Sequence, residues 1–159
     1  MLRARATLHS VLSPQSSVLI THMKIDHLGI AVRSISDSLG FYRDVLGMDA
    51  ASTETVEDQG VHVALLPAGE SRIELLEPLS DDTPVGRFVA RRGEGLHHIC
   101  YEVENLAAKM EDLKLRGVRV LDGYPRRGAE GKLVAFLHPA NANGVLVELV
   151  EKAGTSEEP

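Results

Sequence analysis

Two histidines and two glutamates occupy matching places in the two halves of this 159-residue chain. His27 lies in the segment IDHLGIAV and His98 lies 71 residues later in LHHICYEV, while Glu74 in IELLE is followed 74 residues later by Glu148 in VELVE. Imidazole nitrogens and carboxylate oxygens both bind divalent first-row metals. A duplicated module that supplies one of each per copy can therefore enclose a single metal ion at its pseudo-two-fold axis.

Each of these four residues has an ordinary structural explanation when it is taken alone. A single histidine on an apolar strand is usually hydrogen-bonded in the core, and a single glutamate in a strand usually faces solvent. The recurrence of both types in equivalent positions is what favours a shared site. The other histidines have no counterpart in the opposite half, and we interpret them as ordinary residues: His9, His22, His62 and His138.

The composition restricts the class of protein. With 43% hydrophobic residues, the chain can fill one core or two small modules that share one. A net charge of −6 gives no electrostatic footprint for nucleic acid, and no apolar run approaches the 18 or so residues of a membrane span. The single cysteine, Cys100, suits a reducing compartment and is expected to be a buried small hydrophobe rather than a nucleophile.

The two ends of the chain are expected to lie outside the fold. Residues 1–22 contain arginines and serines but no acidic residue, which is typical of an import presequence or of a start site placed too far upstream. The corresponding locations are the mitochondrial matrix and the cytoplasm. Residues 153–159 form a polar tail, so one domain is predicted over residues 23–152.

Hydrophobic periodicity predicts the same order of elements twice, βαβββ, which places the chain in the α+β class. Module 1 covers about 24–80 and module 2 about 95–152. A short helix over about 83–93, with Thr83 as N-cap, Pro84 in the first turn and Gly93 as its stop, joins them. The other predicted segments are strands 24–32, 61–66, 72–76, 96–103, 118–121, 133–137 and 145–150, a helix from about Ser36 to a stop at Gly47, and a helix between Asn105 and Gly117.

Strand alternation indicates where the four residues point. His27 shares a strand face with Gly29 and Ala31, while the branched residues between them can pack beneath a helix. In the second copy the same alternation places His98, and not His97, in the position equivalent to His27. Glu74 and Glu148 lie on strands that are otherwise apolar, and a buried carboxylate needs a cation or a hydrogen-bond donor.

The chain resembles the vicinal-oxygen-chelate superfamily, which includes glyoxalase I, extradiol dioxygenases and methylmalonyl-CoA epimerases. The resemblance covers about Ile25 to Val150. Its first part consists of DHLGIAV at 26–32 and of the segment that begins with FY at 41–42 and ends with LG at 46–47. Several segments are similar to the epimerases in particular: DQGV at 58–61, IELLEP at 73–78, RGEGLHHI at 92–99, GAEG at 128–131, FLHP at 136–139 and GVLVEL at 144–149.

The resemblance implies that the paired modules form an open curved sheet around a divalent metal held by His27, Glu74, His98 and Glu148. Cobalt or manganese is favoured, with nickel and zinc as alternatives. It also implies an isomerase that interconverts (2R)- and (2S)-methylmalonyl-CoA by 1,1-proton transfer through an enolate, an acyl-CoA as substrate, and a homodimer. The alternatives are a lactoylglutathione lyase of the glyoxalase I type and a non-catalytic small-molecule-binding module.

Two departures from the family pattern concern the reaction. Some members have a catalytic glutamate four residues after the glutamine of Gln-Gly-Val, and here that position is Val63. We therefore expect Glu74 and Glu148 to act as bases on opposite faces of the substrate. The family's lysine after His-Pro is Ala140 here, so contacts to the coenzyme A phosphates are expected from other basic residues: Arg91, Arg92, Arg126, Arg127 and Lys132.

Overall fold

A single mixed sheet organises the structure, a computed structural model that describes residues 23–50 and 52–152. Its eight strands and three α-helices follow one another in this order: β1 (Lys24–Ala31), α1 (Ile35–Tyr42), β2 (Ser52–Val56), β3 (Val61–Ala68), β4 (Ser71–Pro78), α2 (Pro84–Arg92), β5 (Gly95–Val103), α3 (Leu106–Leu115), β6 (Arg126–Arg127), β7 (Leu133–Leu137) and β8 (Leu146–Glu151).

The strand order, β2-β3-β4-β1-β5-β8-β7-β6, reflects the internal duplication of the chain into two modules. Each module has its first strand beside its last, because β1 pairs parallel with β4 and β5 pairs parallel with β8. The antiparallel pairing of β1 with β5 joins the modules at the centre of the curled sheet. The predicted α+β fold of two βαβββ modules is confirmed.

Side chains at the helix ends agree with the boundaries read from the sequence for two of the three helices. The Thr83 hydroxyl accepts a hydrogen bond from the Gly86 amide at the start of α2, and the Asn105 side chain does the same for Ala108 at the start of α3. The helix α1 ends earlier than predicted. After Tyr42 the chain continues in irregular turns to Gly47, which has a φ of +71°.

Helices cover both faces of module 1. On the outer face α1 packs against a cluster that contains Val32, Leu66 and Leu75. On the inner face Val85 and Val89 of α2 belong to a second cluster, which includes side chains of β1, β3 and β4: Ala31, Val61, Val63, Leu65 and Leu76. Burying each of these valine or leucine side chains stabilises the fold by roughly 1.5–3 kcal/mol. Packing in these two clusters fixes the positions of β1 and β4, the strands that carry His27 and Glu74.

In module 2, α3 packs on the outer face through Leu106 and Met110. Among the described residues no helix covers the inner face of this module in the way that α2 covers module 1. The inner face of β5 and β8 therefore opens toward the cleft between the modules.

One predicted strand, 118–121, is wrong. Within it only Val120 forms a β-bridge, to Leu137. Gly123, with a φ of +79°, and Pro125 then take the chain away from the sheet, and pairing resumes as the two-residue edge strand β6. The sequence at 118–121 is a run of β-branched and basic residues, and it gives no sign of so short an interruption in strand pairing.

The predicted presequence or over-extended start falls on residues 1–22 and the predicted polar tail on residues 153–159, both outside the described part of the chain. The cellular location therefore stays a prediction. Among the described helices, none combines the length and the apolar character that crossing a bilayer requires.

Candidate metal centre

His27, Glu74, His98 and Glu148 each bring one potential ligand atom to the junction of the two modules, and all four atoms lie within 4.8 Å of one another. His98 Nε2 is 2.8 Å from Glu148 Oε2 and 3.4 Å from Glu74 Oε2. His27 Nε2 is 3.0 Å from His98 Nε2, 3.1 Å from Glu148 Oε2 and 3.2 Å from Glu74 Oε2. The four residues are only 2–5% exposed.

Sheet register brings these four residues together. Gly29 of β1 is paired with Glu74 across the parallel ladder and with His98 across the antiparallel one. Cys100 of β5 is paired in the same way with Glu148 and with His27. Paired residues project on the same face of a sheet, so both glutamates and both histidines point into the cleft. The predicted equivalence of His98 with His27 agrees with this arrangement.

The donor set and its spacing fit a single divalent cation. Metal–nitrogen and metal–oxygen bonds of about 2.0–2.2 Å place neighbouring ligand atoms about 3 Å apart, as these atoms are. Two carboxylates buried side by side also repel each other unless positive charge lies between them. The site therefore has the ligands, the spacing and the charge to hold a divalent ion, and its mixed nitrogen and oxygen donors suit several first-row metals.

Neighbouring carboxylates also dominate the titration of the two histidines. Burial works against the charged form of His98, but Glu148 and Glu74 outweigh it and raise the pKa of His98 to about 9. For His27 burial is likewise outweighed, by hydrogen bonds to Asp26 and to the glutamates, and its pKa is raised far above the usual range. In return the histidines lower the pKa of Glu74 and of Glu148 despite the burial of both groups. Both carboxylates thus favour the ionised form that binds metal.

Two β-bulges next to the histidines were not predicted from the sequence. The register between β1 and β5 shifts between Ile25 and His27, which leaves Asp26 as an extra residue. It shifts again between Gly29 and Ile30, where His97 is the extra residue on β5. Each bulged residue directly precedes a histidine of the site. Simple strand alternation predicts that the side chains of Asp26 and His97 point away from the site. The only signal in the sequence was that both are polar residues in apolar strands.

The first bulge turns the Asp26 carboxylate toward the Nδ1 side of His27, at 2.8 Å. Arg72 donates to the same Asp26 oxygen at 2.6 Å and to Glu130 at 2.7 Å, and Glu130 also pairs with Lys132 at 2.9 Å. The Glu130 backbone N–H donates to Glu54 in β2, on the opposite side of the cleft. A chain of ion pairs therefore fixes the His27 ring and links it to the loop before β7.

The second bulge places a neutral partner on the other histidine. His97 Nδ1 lies 2.9 Å from His98 Nδ1, and the His97 ring packs edge-on against Phe88 of α2. Burial, with the charge of His98, lowers the pKa of His97 to about 4, so His97 is neutral at physiological pH. Neutral imidazole can accept the Nδ1–H of His98, which fixes the tautomer whose Nε2 lone pair faces the cluster.

The cavity beside the four residues is narrow, with about 20 Å³ of free space. Valines and a leucine form most of its apolar wall: Val56, Val63, Leu76, Val134 and Val150. Val63, which occupies the position of the family's catalytic glutamate, is 2% exposed. His62, its neighbour, is exposed and bonded to Thr55 at 2.7 Å, outside this cavity. No carboxylate other than the four-residue site and its Asp26 and Glu130 partners lines the described cavity.

Cys100 is completely buried behind His27. Burial raises the pKa of its thiol to about 12, although a hydrogen bond to His27 opposes this. A neutral, inaccessible thiol is a poor nucleophile, in agreement with its interpretation as a small core residue.

Gly29 is required by the His98 ring. A Cβ at this position would lie 2.1 Å from His98 Cε1, far inside van der Waals contact. We expect Gly29→Ala to displace His98 and to abolish stoichiometric binding of cobalt, measured by isothermal titration calorimetry. Gly40→Ala on α1 is the matched control, because a Cβ there meets no atom within 4 Å. Unchanged metal binding by Gly29→Ala would contradict the position assigned to His98.

Comparison with known proteins agrees with this site and fold. The family model described as Glyoxalase/Bleomycin resistance protein/Dioxygenase superfamily matches residues 26–136. An ethylmalonyl-CoA/methylmalonyl-CoA epimerase of Cereibacter sphaeroides is 41% identical over 79% of this chain and 96% of its own length. A mitochondrial methylmalonyl-CoA epimerase of Mus musculus is 39% identical over 79% of this chain and 71% of its own length.

A solved structure gives the same result. A methylmalonyl-CoA epimerase of Streptomyces coelicolor in complex with 2-nitronate-propionyl-CoA superposes with a TM-score of 0.77 at 41% identity, covering 82% of this chain and 97% of that one. The chain therefore belongs to the Glyoxalase/Bleomycin resistance protein/Dioxygenase superfamily and, within it, to the family of the methylmalonyl-CoA epimerases.

Proposed function

We propose that this protein is an isomerase that interconverts the (2R) and (2S) epimers of methylmalonyl-CoA by moving the α-proton from one face of the substrate to the other. The observation that carries the proposal is the buried cluster of His27, Glu74, His98 and Glu148 in a chain about 40% identical to enzymes of that name.

The four residues of the cluster would hold one divalent ion, cobalt or manganese in preference to nickel or zinc. When bound, the ion would supply Lewis-acid stabilisation of the negative charge that develops on the thioester oxygen, which is worth several kcal/mol. Asp26 and His97 orient the two imidazoles for this role through their Nδ1 atoms.

Glu74 and Glu148 are the candidates for the two bases. In the described part of the chain each uses its Oε2 atom toward the histidines, which leaves Oε1 of each available to the cavity that both line. They come from opposite modules, so they would approach the α-carbon from opposite sides. One would accept the α-proton through Oε1, and the other would return a proton to the opposite face.

The apolar wall supports this proton transfer. Side chains such as Val63 and Val134 keep water away from the reacting carbon, which strengthens the electrostatic interactions of the carboxylates. A methylmalonyl group is larger than the free space in the cavity. Its entry would therefore require the cavity to widen, and Ala129 and Glu130 are lining residues that lie on a loop.

Two other functions are compatible with the same fold. A lactoylglutathione lyase of the glyoxalase I type shares the pattern of two histidines and two glutamates, and its reaction also moves a proton. A non-catalytic binder of the fold does not need the complete set of four residues. The 39–41% identity to methylmalonyl-CoA epimerases favours the epimerase over both. The homodimer expected from the resemblance is part of the proposal as well.

The reaction is tested by incubating the cobalt-loaded protein with (2S)-methylmalonyl-CoA in deuterated water. We expect deuterium to enter the α-position and the (2R) epimer to form, both followed by mass spectrometry and a chiral assay. Removing the metal by a chelator should abolish both, and cobalt should restore them. A protein that exchanges no α-proton but converts methylglyoxal and glutathione would be a lyase instead, and one inactive in both assays would be a binder.

The two-base proposal makes a more specific prediction. Glu74→Gln and Glu148→Gln should each retain the metal, because an amide oxygen can coordinate, but should each lose epimerisation by about 10²–10⁴-fold. Each variant should still wash out the α-proton of only one epimer, and the retained epimer should differ between the two. If Glu74→Gln epimerises at nearly the wild-type rate, Glu74 is a ligand only and the second base is water or another group.

The metal ligands are tested by a pair of adjacent histidines. His98→Ala should lose stoichiometric cobalt binding in titration calorimetry, because it removes a ligand. His97→Ala should keep one ion per chain with an affinity lower by about 10-fold, because it removes only the partner of His98 Nδ1. Equal loss of the ion in both variants would show that the assignment of faces on β5 is wrong.

A further inference from the structure

Arg72 and Lys132 line the cavity beside the four-residue site, and a carboxylate of the protein itself lies between them. The Oε2 atom of Glu130, on the loop between β6 and β7, is 2.7 Å from Arg72 Nη1 and 2.9 Å from Lys132 Nζ. The sequence suggested Lys132 as a contact for a coenzyme A phosphate, but in the structure it belongs to this cation pair. The proposed proton transfer uses neither the cation pair nor Glu130.

The charges that line the cavity balance when one carboxylate lies on the cation pair. Four carboxylates line the cavity: Asp26, Glu74, Glu130 and Glu148. With neutral imidazoles, the four positive charges that balance them are those of Arg72, of Lys132 and of a divalent ion at the four-residue site. A further carboxylate, brought in by a substrate, would leave an uncompensated negative charge in a narrow space, which is unfavourable. An acidic substrate is therefore accommodated best if Glu130 leaves.

Of the two carboxylates bound to Arg72, only Glu130 is placed to leave. Arg72 donates to Asp26 through Nη2 and to Glu130 through Nη1. The Asp26 side chain is 10% exposed and also contacts His27, whereas the Glu130 side chain is 39% exposed. Release of Glu130 would free one guanidinium nitrogen and the Lys132 ammonium. It would leave the bond from Arg72 to Asp26, which fixes the His27 ring, in place.

The backbone at Glu130 agrees with a position that depends on outside contacts. Glu130 has a φ of +56° and a ψ of +19°, in the left-handed region that residues with a Cβ adopt rarely. Its backbone N–H donates to Glu54 at 2.6 Å, on the opposite side of the cleft. Such a conformation persists only when surrounding contacts maintain it. Loss of the ion pairs with Arg72 and Lys132 would therefore favour an outward position of the Glu130 side chain.

We propose that Arg72 and Lys132 recognise the free carboxylate of the substrate, and that Glu130 occupies their site as an internal competitor until an acidic acyl group displaces it. Charge-assisted hydrogen bonds from a guanidinium and an ammonium group suit a carboxylate. Arg72 and Glu74 are two residues apart on β4 and so share a face of the sheet. A carboxylate bound to Arg72 thus lies beside one of the two proposed bases. The inference rests on the proposed function for the class of substrate, a thioester with a carboxylate on its α-carbon.

The test compares two thioesters, methylmalonyl-CoA and propionyl-CoA, which has hydrogen in place of the α-carboxylate. We expect cobalt-loaded Glu130→Gln to bind methylmalonyl-CoA about 10-fold more tightly than wild type in titration calorimetry, and propionyl-CoA within about twofold of wild type, because the competing charge is gone. Damage to the fold cannot produce such a selective gain. Adding Lys132→Gln to the Glu130→Gln protein should cancel it. Unchanged or weaker binding of methylmalonyl-CoA by Glu130→Gln would overturn the proposal.

Glu54→Gln is the matched control, because it removes a negative charge next to Glu130 but leaves Glu130 on the cation pair. An amide oxygen can still accept the Glu130 N–H, so we expect the affinity for methylmalonyl-CoA to stay within about twofold of wild type. Equal gains in Glu54→Gln and Glu130→Gln would reveal a general effect of charge and would contradict the role of Glu130.

The same measurements separate this inference from the proposed function. If wild type exchanges no α-proton but Glu130→Gln gains affinity for methylmalonyl-CoA alone, the carboxylate site is supported and the epimerase function is not. If wild type epimerises its substrate but Glu130→Gln binds both thioesters as wild type does, the epimerase function stands and the carboxylate site is refuted. A wild-type protein that binds neither thioester would contradict both.

Discussion

The structure depends on one electrostatic constraint, the burial at the junction of the modules of two carboxylates and two imidazoles whose ligand atoms all lie within 4.8 Å of one another. Such a group is stable only if positive charge lies between Glu74 and Glu148. A bound divalent ion supplies that charge and leaves the imidazoles neutral as ligands. The same ion would join the two modules, because each contributes one histidine and one glutamate.

The duplication also explains how the two histidines are oriented. The two bulges, at Asp26 on β1 and at His97 on β5, lie at equivalent places in the two modules and give each imidazole a partner on its Nδ1 side. The partners differ, since one is an ionised carboxylate held by Arg72 and the other is a neutral imidazole held against Phe88. A symmetric backbone therefore carries an asymmetric set of supporting groups.

The repeated His and Glu positions, the helix caps Thr83 and Asn105 and the facing of the four strands that carry the site could be predicted from the sequence, because they follow from periodicity and local hydrogen bonding. The bulges at Asp26 and His97 could not, since alternation assumes an unbroken ladder. The failure of the predicted strand at 118–121 has a related cause, because the turn around Gly123 depends on tertiary packing.

The central claim, that one ion is shared by both modules, is tested most directly by anomalous diffraction from crystals grown with cobalt. The account predicts a single strong peak per chain at the cobalt edge, within about 2.0–2.2 Å of Nε2 of His27 and His98 and of an oxygen of Glu74 and Glu148. A peak that lacks a ligand from either module, or the absence of any peak at this junction, would contradict it.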